Sequence, residues 1–182
     1  MLKTKYSDKI VIPIFILQHK GLVEVGGLAL AADAVGLDGL VLIMGDISQY
    51  GEPIKALKSS EEAQLGCLLT VRRSVEETIA KVRDAWYFIF FMSLEEKSLP
   101  MLEQVVKECK RLNKPIYAYF LVETPRNVET LKMIGWPATA TIDRVEDFAA
   151  RLQGVVDGII ATCAGDHEGD KELLKRLQKL RG

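Results

Sequence analysis

The sequence predicts an α/β fold with a mostly parallel sheet, and three observations carry that reading. Short apolar runs recur along the chain: Ile10–Leu17, Leu40–Met44, Leu65–Val71, Trp86–Met92, Ile116–Val122, Ala138–Ile142 and Gly158–Thr162. Each is rich in β-branched or aromatic residues, and most are bounded by Gly, Pro, Asn or Asp, as strands are. A polar turn and then an amphipathic helical stretch follow most of them, the arrangement of crossover helices between parallel strands. Such folds place their chemistry beyond the C-terminal ends of the strands, so candidate sites narrow to a few turns. Two architectures remain open on these runs. A closed (β/α) barrel needs eight strands and typically about 250 residues, and this chain has 182. An open doubly wound, flavodoxin-like parallel sheet forms with six or seven.

The first helix is expected over Val23 to Val35. Its centre, Gly26 to Ala32, is small and apolar and suits close packing on a sheet, although its two glycines cost about 2 kcal/mol of helix propensity relative to alanine. A short second helix is expected at Glu52 to Lys58 or at Ser60 to Gln64. The third opens on Ser74-Val75-Glu76-Glu77, a capping box in which hydroxyl and carboxylate satisfy exposed N–H groups. The fourth spans about Leu99 to Leu112, with Pro100 in its first turn, where a missing N–H costs little; Asn113 and Pro115 end it. The fifth follows Thr124-Pro125, with Thr124 as the expected cap, and ends at Gly135. The sixth follows a second box, Asp143-Arg144-Val145-Glu146. The seventh runs from Asp170 to the C-terminus, with Lys171, Lys175, Arg176, Lys179 and Arg181 as a solvated face suited to the helix C-terminal dipole. One domain over 1–182 is the simple organisation. A faint echo links Leu37-Asp38-Gly39-Leu40 with Val156-Asp157-Gly158-Ile159, which common strand grammar explains better than duplication does.

Composition excludes several classes. The net charge of −1 offers no field for nucleic acid or anionic lipid. Cys67, Cys109 and Cys163 are odd in number and widely spaced, which fits neither a disulfide framework nor a Cys-rich zinc site and suits a reducing cytoplasm. No apolar stretch approaches the roughly 20 residues of a membrane helix, and the polar start, Met1 to Lys9, is no secretion signal. Phosphate-loop, dinucleotide and nucleophile-elbow signatures are missing.

Chemistry is expected at strand ends. In Met44-Gly45-Asp46, Gly45 permits a sharp turn and Asp46 either accepts a hydrogen bond from a ring N–H or ribose hydroxyl or caps the turn. Arg72-Arg73 precede a capped helix start and either grip phosphate or pair with Glu76 and Glu77. Gln18-His19-Lys20 follow the first strand as candidate contacts to a phosphate or carbonyl oxygen. Glu123, at the end of the fifth run, is a candidate acid, base or substrate ligand, as are Glu95 and Glu96. His167 among carboxylates is a weak metal signal, and no metal is expected. Cys163 reads as a buried structural thiol, and the aromatic run Trp86 to Phe91 as core.

From His19-Lys20 through Leu28–Val35, Gly36-Leu37 and Met44-Gly45-Asp46, with Ile12-Pro13-Ile14 before them, the chain resembles methylenetetrahydrofolate reductases, with looser likeness continuing to Val156-Asp157-Gly158. The resemblance implies a TIM-barrel-like (β/α) fold, shortened or incomplete, without the family's first two strands. It also implies a flavoprotein that reduces a one-carbon folate or related pterin. Asp46 and Gly45 would lie beside the flavin (FAD or FMN), and His19, Lys20, Arg72 and Arg73 would hold its phosphates. Gln18 and Glu123 would contact substrate. No residue inherits the family's catalytic Glu, so catalytic residues stay unknown, and a homo-oligomer or partner subunit would complete the sheet. In the last third, Lys114-Pro115, Gly135-Trp136-Pro137 and Asp143 to Leu152 resemble a flavodoxin-like domain of NDP-forming acyl-CoA ligases. That likeness implies a nucleotide- or CoA-binding module, non-catalytic alone.

Overall fold

The computed structural model describes residues 12–16, 22–43, 64–84 and 87–181. The expected second helix lies outside them, apart from Gln64. The chain divides into two compact units, Met1–Leu68 with Asp84–Ile89, and Leu69–Arg83 with Phe90–Gly182. In both, parallel strands alternate with helices, so the α/β expectation holds; closure into a barrel is not part of what the strands show.

The first unit holds β1 (Ile14–Ile16), α1 (Leu22–Ala34), β2 (Leu40–Ile43) and most of β3 (Leu65–Leu69). β1 pairs with β2 and β2 with β3, both parallel, with Ile14 opposite Val41 and Leu40 opposite Leu65. Leu40, Val41 and Leu42 are buried, as β-branched and aliphatic residues flanked on both edges should be. Helix α1 ends on Gly36, whose φ of +66° an L side chain rarely adopts, and Leu37 N–H returns to the Ala32 carbonyl at 3.0 Å. Its small centre does not produce full burial: Ala32 is buried, while Val23 and Leu30 face solvent.

The second unit holds α2 (Val75–Arg83), β4 (Ile89–Ser93, from Phe90 onward), α3 (Leu99–Arg111), β5 (Ile116–Glu123), α4 (Val128–Ile134), β6 (Ala140–Thr141), α5 (Val145–Ala150), β7 (Gly158–Thr162) and α6 (His167–Gln178). β5 is central. β4 pairs along one edge, Phe91 opposite Tyr117, and β7 along the other, Tyr117 opposite Gly158. The main strands β4, β5 and β7 thus lie side by side in chain order, an order that a barrel shares with each half of a doubly wound sheet. β6 joins the β4 side of β5, because the carbonyls of Tyr119, Leu121 and Glu123 all point that way, to Leu94, Thr139 and Ile142 N–H. It is shorter than the expected Ala138–Ile142 run because Thr139 bridges the gap with its side chain. Its hydroxyl donates to the Leu94 carbonyl at 2.6 Å and accepts from Leu121 N–H at 3.2 Å.

Register separates the two faces of this sheet. Phe90, Met92, Ala118, Phe120 and Val122 share one face and are fully buried, with Phe148 of α5 edge-on against Phe120 at 5.2 Å between ring centres. Helix α3 buries Leu102, Val105, Val106 and Cys109, an i, i+3, i+4, i+7 stripe. On the opposite face Phe91 and Leu121 are buried, while Tyr117, Tyr119, Glu123, Ile160 and Thr162 stay half-buried. Glu108 ties α2 to α3 by accepting from Arg83 Nε at 2.6 Å and from Arg111 at 2.7 and 2.9 Å, and these guanidinium bonds lower its carboxyl to about 2.

The helix starts test the capping expectations. The box at Ser74 forms in both directions, Ser74 N–H to Glu77 at 3.0 Å and Glu77 N–H to Ser74 Oγ at 3.1 Å. The box at Asp143 does not: α5 starts after Arg144 with no side-chain cap, because Asp143 and Glu146 both turn to Arg176 of α6. Arg176 is therefore three-quarters covered and paired rather than part of a purely solvated face. Helix α6 begins at His167, three residues earlier than expected, since Asp166 supplies the cap.

Candidate functional site

The C-terminal ends of β5 and β7 are joined by a polar network that starts from Asn127, the N-cap residue of α4. Its amide donates to the carbonyls of Val122, at 2.9 Å, and Cys163, at 2.5 Å, and its Oδ1 accepts from Thr124 N–H at 2.8 Å. With 1% exposure, all three bonds are shielded from water. Thr124 is not the helix cap that its position suggested. Its hydroxyl donates to Asp166 at 2.7 Å, linking the β5–α4 and β7–α6 turns. Asp166 also accepts from Gly169 N–H at 3.0 Å and Arg126 Nε at 2.9 Å. The Arg126 guanidinium first, then the Gly169 amide and Thr124 hydroxyl, hold the Asp166 carboxyl down at about 2. An ordinary glycine substitution would break this cap, because a Cβ on Gly169 would lie 2.6 Å from Asp166 Oδ2.

Behind the cap, Asp170 accepts from Cys163 N–H at 2.6 Å. Cys163 is fully buried, and burial, then the charges of Asp170 and Asp166, push its thiol up to about 11. That is the opposite of an activated nucleophile and agrees with a structural thiol. Cys109 is likewise buried, with its thiol pushed up to about 12. Tyr119, on the half-buried face, is raised by burial and by Asp170.

Of the expected site residues, Gln18, His19, Lys20, Gly45 and Asp46 lie outside the described residues. Glu123 ends β5 half-buried, and no described residue bonds or pairs with its carboxylate. Glu95 pairs with Lys97, and Glu96 with Arg144 and Arg151. The two arginines differ. Arg72 donates to the Gly135 carbonyl and lies 5.1 Å from the centre of the Trp136 ring, so it holds the β3–α2 turn to the α4–β6 turn. Arg73 is exposed and has no described side-chain partner; neither arginine pairs with Glu76 or Glu77. His167 is exposed, and among the described residues no group of three His, Cys, Asp or Glu is placed to hold a metal. Among them, too, no helix is long and apolar enough to cross a membrane. Asn127, Arg126 and Asp166 escaped the sequence reading as a set. The signal available was Asp166-x-x-Gly169, a capping spacing, and Asn127 just before an apolar helix start.

A groove of about 1100 Å³ runs between α5 and α6 over β7, lined by Leu152, Ile159, Ala161, Leu174 and Leu177 among others. Thr162 and Asp170 also line it, so one end reaches the residues behind the Asp166 cap.

No family model matches the chain, and no curated protein matches it. Among solved structures it is similar to a chain from a structural study of Aquifex aeolicus VF5, with a TM-score of 0.57 and 15% identity over 98% of this chain and 64% of that one. At that identity the likeness shows the fold alone. The class established is an α/β protein of parallel strands alternating with helices, spanning less than two thirds of the length of the Aquifex chain.

Proposed function

We propose that this chain is a flavin-binding protein of the methylenetetrahydrofolate reductase kind, with its ligand at the C-terminal ends of the strands. It would act on a one-carbon folate or related pterin. The observation that supports this reading is the chain-order arrangement of parallel strands within each unit. A barrel requires that order, and each half of a doubly wound sheet shares it, so a nucleotide- or CoA-binding module stands as the alternative reading. Completion by a second copy or a partner subunit belongs to the same proposal.

The described residues fit the phosphate end of a flavin nucleotide through Arg73. Arg72 is engaged by Gly135 and Trp136, and Glu77 already occupies part of the α2 N-terminus, so Arg73 is the guanidinium left to grip an anion. Glu123 suits a ligand N–H or hydroxyl, because its carboxylate is half-buried and acceptor-only. A bound flavin would supply hydride transfer; the protein's own part is to hold its phosphate and to present acceptors at the strand ends.

The test is fluorescence titration of FMN and FAD into the purified protein. Quenching that saturates is expected, and Arg73→Ala should weaken it about ten- to a hundredfold, the worth of a charge-assisted hydrogen bond. Flavin fluorescence unchanged by excess protein overturns the proposal.

A further inference from the structure

We draw no further inference here: the strongest candidate, the groove between α5 and α6 over β7, carries no proposal because nothing in the structure shows what covers it.

Discussion

Replacing Asn127 by alanine should be among the costliest single changes outside the apolar core. The side chain makes three bonds, to Val122, Cys163 and Thr124, in a site closed to water. Each contributes about 1 kcal/mol net, and the stranded Thr124 N–H adds a desolvation cost of about 1–3 kcal/mol, for a total of about 4–6 kcal/mol. Domains of this size have only about 5–15 kcal/mol in hand, and each kcal/mol lowers Tm by about 2–4 °C. A fall of about 8–24 °C is therefore expected by circular dichroism, with a matching drop in the urea midpoint. Asn127→Asp keeps the acceptor for Thr124 but sets a carboxylate against two carbonyl oxygens, so at pH 7 it should fall at least as far. If Asn127→Ala unfolds within about 1 kcal/mol of the parent, the reasoning fails: the strand ends would then be held by backbone packing alone.

Three further outcomes are expected. Phe120→Ala, at a fully buried position against Phe148, should cost about 3–5 kcal/mol in urea unfolding; a loss below about 1 kcal/mol would place that face outside the core. Asp166, held at about 2 against an ordinary 3.8, stabilises the fold above about pH 4, and that contribution disappears as pH falls from about 4 towards 2. Asp166→Asn should flatten this part of the acid-unfolding curve, and a carbon-13 titration of the carboxyl reaching its midpoint near 4 would contradict it. Gly39→Ala would set a Cβ 2.9 Å from the Gln64 backbone carbonyl, which cannot swing aside as a side chain would. It should cost about 1–3 kcal/mol, and unchanged stability would mean the β2–β3 spacing relaxes freely.

Strand identity was legible because burial writes itself into composition. Leu40–Ile43, Ile116–Glu123 and Gly158–Thr162 fall where the apolar runs put them, to within a residue or so. Helix ends were legible where a cap is local. The Ser74–Glu77 box needs only residues three apart, and Gly135 stops α4 with a φ of +69° that any reader of glycine would expect. The echo between Gly39 and Gly158 has a shared spatial cause. A Cβ at either would strike a neighbouring segment, at the Gln64 carbonyl or the Tyr117 ring, so Gly39 just before β2 and Gly158 at the start of β7 are glycine for want of room.

Where a side chain has partners both near and far along the chain, sequence order could not rank them. Asp143 and Glu146 had the spacing of a capping box, yet Arg176, some thirty residues on, offered a full positive charge, stronger than a backbone N–H. Thr124 could have capped the helix beside it and instead donates to Asp166, 42 residues away. Arg72 and Arg73 are adjacent and chemically alike, and only the fold gives one a carbonyl and an indole while leaving the other open. The sequence by itself determined which stretches become parallel strands and helices, because periodicity and apolar content are properties of neighbours. Tertiary structure alone decided how the polar groups at the strand ends are matched, because those matches depend on distances between segments far apart in the chain.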